Sequence, residues 1–143
     1  MRINLKTAIA LLSLSVVVSC SSANLSPDAD ASPAADQIAR GQQLYSTNCA
    51  LCHGASGEGT AQVPALVGKG ALPLVRESAR FRTGEFKTAL DIAKFAVQNM
   101  PPGKDRLPEA DYWAILAFAL HANGVKLDTP VGPDNAASIV INK

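Results

Sequence analysis

The sequence is poor in aromatic residues and in cysteine. Only 5% of its 143 residues are aromatic, and it contains three cysteines. Three cysteines are too few for a scaffold held by several disulfide bonds. Residues 8–18 form the one long apolar run, which excludes a protein that crosses a membrane many times. No repeat is visible. The length fits one domain, and the aromatic residues locate it because they all lie between positions 45 and 118.

The sequence also lacks a strong charge of either sign. From residue 20 onwards, eleven Lys and Arg residues stand against twelve Asp and Glu residues, a net charge of −1. Without a basic block, the composition argues against a nucleic-acid partner. Residues 37–124 hold nine basic and seven acidic residues, a net charge of +2, so we expect overall charge to steer partners only weakly.

The N-terminus is typical of an export signal. Arg2 and Lys6 precede the apolar run and Cys20 follows it, so we predict a signal peptide over residues 1–19. The run is shorter than the roughly 18 residues of a spanning helix, although the uncharged stretch continues far enough to keep an uncleaved anchor as an alternative. The sequence VVSC resembles the lipobox of bacterial lipoproteins. This resemblance implies a lipid on Cys20 that holds the protein to the extracytoplasmic face of a bacterial membrane.

Residues 20–36 have the composition of a flexible, solvated linker, with two prolines, three acidic residues and no aromatic residue. The domain proper is predicted to cover residues 37–124. A linker of this kind would let the domain move in the water layer while it stays at the membrane.

Apolar spacing predicts three helices in this domain. The first begins near Asp36, a good N-cap, and its apolar face extends to Cys49. The second starts near Thr83 and is broken before Pro101. The third extends from Pro108 to about Ala122. Leu107 and Pro108 leave the N-cap of this third helix undefined.

The remaining segments predict loops. Residues 54–70 contain five glycines, and residues 125–143 form a C-terminal extension whose only strand-like run is 139–141. No segment predicts a sheet. The expected fold class is therefore all-α, with three or more helices joined by long Gly/Pro loops.

One motif carries chemistry, Cys49-Ala50-Leu51-Cys52-His53. Two cysteines three positions apart followed by histidine are typical of c-type haem attachment, in which both thiols bind the vinyl groups and His53 binds the iron. A thioredoxin-like dithiol would require a βαβ setting. A structural zinc site would require a fourth ligand, for which only distant His121 is available. A plain disulfide is the remaining alternative.

A haem iron with two axial ligands needs a second one besides His53. Met100 and His121 are the side chains of a usual ligand type, with lysine a rarer possibility. Met100 stands in a loop stiffened by the two prolines that follow it. His121 lies in the last turn of a predicted helix, where histidine is commonly a solvated cap. We therefore expect Met100 to be the second ligand.

The order of these features resembles the class I c-type cytochromes over about residues 37–124. Gly41 and Tyr45 match the family's glycine and aromatic residue on the first helix, where it crosses the last helix and its pair Tyr112-Trp113. Pro64 matches the loop proline whose carbonyl accepts a hydrogen bond from the proximal histidine, His53 here. The resemblance implies a cytochrome c fold, in which the helices pack around one covalently attached haem c.

The resemblance also implies a function. We expect a one-electron carrier that docks transiently on redox partner proteins, without a small-molecule substrate, similar to cytochrome domains that serve periplasmic dehydrogenases. The alternative is a cytochrome that binds small ligands or reduces peroxide through a displaceable sixth ligand. An apolar haem pocket would be formed by Tyr45, Leu66, Phe95, Trp113, Leu116 and Leu120.

Overall fold

The computed structural model describes residues 31–68, 71 and 86–141. The predicted leader, Cys20, most of the linker and the start of the second helix at Thr83 lie outside these residues. The described part contains four α-helices and no strand, which confirms the all-α prediction. None of these helices is long and apolar enough to span a membrane.

Helix α1 covers Pro33–Asn48 and begins earlier than predicted. Ser32 is its N-cap, with a side-chain oxygen that accepts a hydrogen bond from the Ala35 amide at 3.2 Å. Pro33 occupies the first helical position, where its missing N–H costs nothing. Asp36 therefore lies in the first turn, where its carboxylate suits the positive end of the helix dipole.

Helix α2, Ala50–His53, is a single turn that follows α1 after a change of backbone direction at Cys49. Helix α3, Ala89–Asn99, begins later than the apolar pattern suggested. A capping box fixes its start. The Thr88 side chain accepts a hydrogen bond from the Asp91 amide, and the Asp91 carboxylate accepts one from the Thr88 amide. Phe86 is thus outside the helix.

Helix α4, Glu109–Ala122, begins one residue after the predicted start at Pro108 and ends where the sequence predicted. Pro108 is its N-cap residue and makes no side-chain cap, but its carbonyl accepts a hydrogen bond from the Asp111 amide at 2.9 Å. Asn123 ends the helix and Gly124 follows with φ +84°, a conformation that glycine adopts without strain. Half of its 14 residues are buried.

Helices α1 and α4 cross closely at a glycine. A Cβ atom added at Gly41 would lie 1.9 Å from the carbonyl oxygen of Ala114. One turn away, the rings of Tyr45 and Phe118 pack with centroids 5.3 Å apart. The aromatic partner of Tyr45 is therefore Phe118 and not the expected pair Tyr112-Trp113. Ala114 and Phe118 are four residues apart and share one face of α4, whereas 112 and 113 point elsewhere.

The C-terminal extension packs onto the helices although its sequence shows little pattern. Val131, Ala136 and Ile141 are buried in the same core as α3 and α4. Its strand-like end forms one isolated antiparallel bridge, between Thr88 and Val140. The carbonyl of Ile139 accepts a hydrogen bond from the Ala89 amide at 2.9 Å, which pairs a backbone donor at the start of α3.

Candidate haem site

The Cys49–His53 motif lies at the junction of α1 and α2. Cys49 caps the end of α1, and the amide of His53 donates to the Cys49 carbonyl at 2.9 Å. One helical turn therefore brings the two cysteines and the histidine close together in space. Cys52 and Leu51 are exposed, whereas His53 is buried with 7% of its surface accessible. The motif thus presents an exposed thiol at Cys52 and a half-buried one at Cys49, beside a sheltered imidazole.

A single hydrogen bond determines the orientation of the His53 ring. Nδ1 of His53 lies 2.8 Å from the carbonyl oxygen of Pro64. Because a carbonyl oxygen only accepts, Nδ1 carries the hydrogen and donates it, and Nε2 keeps its lone pair. Within the described residues Nε2 has no hydrogen-bond partner. A buried imidazole nitrogen with a free lone pair fits an axial ligand to a haem iron.

Burial also selects the charge state of this ring. Removal from water lowers the pKa of His53, and the bond to the Pro64 carbonyl opposes this effect to a smaller degree. The neutral imidazole is therefore favoured, which is the form that binds metals.

The loop that carries Pro64 is tied to the motif and to α4. The Gly59 amide donates to the carbonyl of His53 at 2.7 Å. The side-chain amide of Asn123 donates to the Leu66 carbonyl at 2.7 Å, and its oxygen accepts from the Gly68 amide at 3.1 Å. The position of Pro64, and with it the direction of the His53 ring, is thus determined by contacts of its loop with the motif and with the end of α4.

The two cysteines of the motif are free thiols. Burial, with a smaller contribution from the neighbouring Cys52, raises the pKa of Cys49 to about 11. A redox-active dithiol depends on a thiol with a lowered pKa, so this environment argues against the thioredoxin-like alternative. Among the described residues, no three His, Cys, Asp or Glu side chains converge to hold a metal ion, and His121 is exposed on α4.

Met100 lies at the C-terminal end of α3 and begins a loop, residues 100–107, that we call the Met100 loop. Its amide donates to the carbonyl of Ala96 at 2.8 Å, so the end of the helix positions this residue. Between Asn48 at the end of α1 and the Met100 loop lies an open cleft of about 640 Å³. Its lining residues are Asn48, next to Cys49, and Pro101, Gly103, Lys104, Asp105 and Leu107.

The side chains expected to line a pocket fall into two groups. Tyr45 lies next to the motif, and its hydroxyl donates to the Gly54 carbonyl at 2.6 Å. Leu66 lies in the loop that carries Pro64, where its amide donates to the Gly57 carbonyl at 2.7 Å. Phe95 on α3 packs edge to face with Phe86. Trp113 belongs to the core cluster shared by α3, α4 and the C-terminal extension, together with Leu116 and Leu120. The indole nitrogen of Trp113 donates to a Glu109 carboxylate oxygen at 3.2 Å.

Two residues at the site were missed by the sequence interpretation. The Tyr112 hydroxyl donates to the Met100 carbonyl at 2.6 Å, and Arg106 donates to the same oxygen at 3.1 Å. The resemblance places Tyr112 at the crossing with α1, and the sequence assigns Arg106 no role at the site. Only the path of the Met100 loop back to α4 brings these two donors to one carbonyl, and no spacing in the sequence indicates that path.

The helical fold, the buried His53 with its free nitrogen and the adjacent thiols define a small c-type cytochrome domain. The match to a family model identifies it further. The model described as "Cytochrome C oxidase, cbb3-type, subunit III" matches residues 36–118, more than half of the chain. The chain belongs to this family, and it is a haem-binding, electron-transfer module.

Two characterised proteins are similar to this chain. The thiosulfate dehydrogenase of Stutzerimonas stutzeri (strain A1501) is 33% identical over 87 residues, which cover 57% of this chain and 26% of that protein. The crystal structure of the sulfane dehydrogenase SoxCD from Paracoccus pantotrophus matches with a TM-score of 0.55 and 28% identity, covering 73% of this chain and 52% of that one. The chain thus spans about a quarter of the length of the thiosulfate dehydrogenase and about half of the length of the SoxCD chain.

Proposed function

We propose that this protein is a monohaem cytochrome c that carries one electron at a time between a dehydrogenase and a further redox protein. Cys49 and Cys52 would hold the haem as thioethers, and His53 and Met100 would bind its iron. The observation that carries this proposal is the buried imidazole of His53, which donates from Nδ1 to Pro64 and leaves Nε2 free.

The bound haem would supply an iron that changes between the ferric and ferrous states. The residues of the chain set how readily it does so. Pro64 holds the His53 ring in one orientation and makes its other nitrogen a better donor. Met100 contributes a soft thioether, and His/Met ligation raises the reduction potential of haem. If His53 and Met100 both bind the iron, they would exclude a substrate from it, which suits a carrier.

The similarity to dehydrogenases supports the choice of partner. Two relatives are named for the oxidation of sulfur compounds, and the chain corresponds to only a part of each. We propose that the partner is likewise a dehydrogenase, acting on an inorganic sulfur compound, whose electrons this domain accepts. Because the net charge of residues 37–124 is small, docking would depend on short-range contacts more than on electrostatic steering.

Export and anchoring complete the proposal. Residues 1–19 would be removed as a signal peptide, and Cys20 would carry a lipid that holds the domain at the extracytoplasmic face of a membrane. The test replaces Cys20 by alanine in the full chain. We expect the protein to move from the membrane fraction to the soluble extracytoplasmic fraction, and the mass of wild-type protein to include a lipid. An unchanged distribution would contradict lipidation.

The haem assignment is tested on denatured protein. In alkaline pyridine, we expect the absorption spectrum of a covalently attached haem with one haem per chain, and loss of attachment in the Cys49→Ala/Cys52→Ala variant. A spectrum of extractable haem, or of none, would contradict the proposal.

Ligation by Met100 is tested on native ferric protein. We expect the weak near-infrared band between sulfur and iron in the wild type and its loss in Met100→Ala, with His121→Ala as a control that keeps it. Persistence of the band in Met100→Ala would exclude this ligand. Fast and complete binding of carbon monoxide to reduced wild-type protein would favour the alternative function, binding or reduction of small ligands.

A further inference from the structure

The hydroxyl of Tyr112 joins both ends of the Met100 loop. Tyr112 lies on α4, and only 5% of its surface is exposed. Its oxygen donates to the carbonyl of Met100 at 2.6 Å and accepts from the amide of Leu107 at 3.2 Å. A hydroxyl has one hydrogen to donate and two lone pairs that accept, so one buried group fixes the first and the last amino acid of the loop.

Arg106 lies in the Met100 loop, and its exposed side chain reaches back to the start of that loop. Its Nη1 donates to the Met100 carbonyl at 3.1 Å, and its Nη2 donates to the carbonyl of Gln98. Both carbonyls lie at the C-terminal end of α3, where a positive charge also suits the helix dipole. The Met100 carbonyl therefore accepts two hydrogen bonds, one from a rigid buried ring and one from a planar guanidinium.

We infer that Tyr112 and Arg106 are positioning residues that hold the Met100 loop closed at the sixth coordination position of the haem iron and thereby keep small external ligands out. This inference rests on the proposed ligation by Met100. An external ligand can bind only while Met100 is displaced, so its apparent affinity is proportional to the population of the open loop. Removing either donor raises that population.

The experiment measures imidazole binding to the ferric, haem-loaded full chain by the change in its visible absorption. Tyr112→Phe removes two hydrogen bonds and keeps the ring, and we expect the apparent Kd for imidazole to fall about tenfold. Arg106→Gln removes the exposed donor and should lower this Kd by about threefold or more. The near-infrared sulfur-to-iron band should persist in both variants without imidazole.

Arg40→Gln is the matched control. Arg40 forms an ion pair with Asp111 at 2.5 Å between α1 and α4 and makes no hydrogen bond to the Met100 loop. We expect this variant to lose some stability and to bind imidazole with the wild-type Kd. A lowered imidazole Kd in Tyr112→Phe and Arg106→Gln but not in Arg40→Gln would distinguish positioning of the loop from a general loss of stability.

The two levels of the proposal fail in different ways. Suppose that the wild type shows the near-infrared band and that Tyr112→Phe and Arg106→Gln bind imidazole with the wild-type Kd. This result would overturn the positioning role and leave ligation by Met100 intact. Absence of the band from the wild type, with the same imidazole Kd in Met100→Ala, would overturn both. If Tyr112→Phe fails to fold with haem, Arg106→Gln decides, since its side chain is exposed.

Discussion

Gly41 on α1 lies directly against the carbonyl of Ala114 on α4, so closely that a methyl group at position 41 would be 1.9 Å from that oxygen. Backbone atoms cannot move aside as a flexible side chain can. The distance between the two helices, and the packing of Tyr45 on Phe118 one turn away, therefore depend on the absence of a side chain at one position.

Gly41→Ala should destabilise the haem-loaded protein by about 2 kcal/mol or more, because the added methyl group forces α1 away from α4. Alanine favours a helix by about 1 kcal/mol over glycine, so the loss must exceed this gain. The free energy of unfolding in guanidinium chloride measures the effect. Gly132→Ala is the control, since nothing lies within 4 Å of a Cβ added there. Equal stability of the two variants would contradict the close crossing.

Gln37→Ala should cost about 1–2 kcal/mol, because the side-chain amide of Gln37 makes two hydrogen bonds with the backbone of Val131. The amide donates to the Val131 carbonyl at 2.8 Å and its oxygen accepts from the Val131 amide at 2.7 Å. Gln42→Ala, at an exposed position of the same helix, should change stability by less than about 0.5 kcal/mol. Thermal unfolding of the two variants side by side tests whether the extension is held by this contact.

Asp91→Ala should lower stability by about 1 kcal/mol at pH 7, because the carboxylate caps the start of α3. Hydrogen bonds from the amides of Lys87 and Thr88 lower the pKa of Asp91. The ionised form is thus favoured in the folded state, so its contribution is present above the ordinary pKa of about 3.9 and disappears as the pH falls through the lowered value. Unfolding free energies measured from pH 7 to pH 3 should converge for wild type and variant.

The control for that series is Asp128→Ala, since Asp128 forms only an exposed ion pair with Lys126. Its difference from the wild type should be small at every pH. If the difference in unfolding free energy between wild type and Asp91→Ala stays constant down to pH 3, the charge of Asp91 does not contribute to the cap.

Tyr45→Phe should reduce the loss of stability in alkali. Burial, with smaller contributions from Cys49 and Glu58, raises the pKa of Tyr45 to about 12 from an ordinary value near 10. The neutral phenol is favoured in the folded state, so its contribution is complete below pH 10 and disappears as the pH rises through about 12. The free energy of unfolding should therefore fall less between pH 9 and pH 12 in the variant than in the wild type. Identical pH profiles would count against burial of this hydroxyl.

Several features could be predicted from local sequence because they depend on neighbours in the chain. The all-α class and the bounds of α4 follow from spacing and from the stop at Asn123 and Gly124. The starts of α1 and α3 were predicted wrongly because more than one cap was available. Ser32 with Pro33 outcompetes Asp36, and Thr88 with Asp91 begins α3 after Phe86.

The contacts between distant segments could not be predicted in this way. The partner of Tyr45, the burial of the C-terminal extension and the two donors on the Met100 carbonyl each join residues that no periodicity connects. The resemblance predicted the contact between His53 and Pro64. The structure adds the distance between His53 Nδ1 and the Pro64 carbonyl oxygen, and from it the tautomer of the His53 ring.

The sequence by itself determined the helical class, the cytochrome family and the motif of Cys49, Cys52 and His53, since these depend on residue types at short, fixed spacings. Tertiary structure alone decided which nitrogen of His53 is free and what holds Met100 in place. Both depend on where a loop carbonyl lies, that of Pro64 for the ring and that of Met100 for Tyr112 and Arg106. A backbone carbonyl is present in every residue, so only the folded path of the chain distinguishes the ones that act.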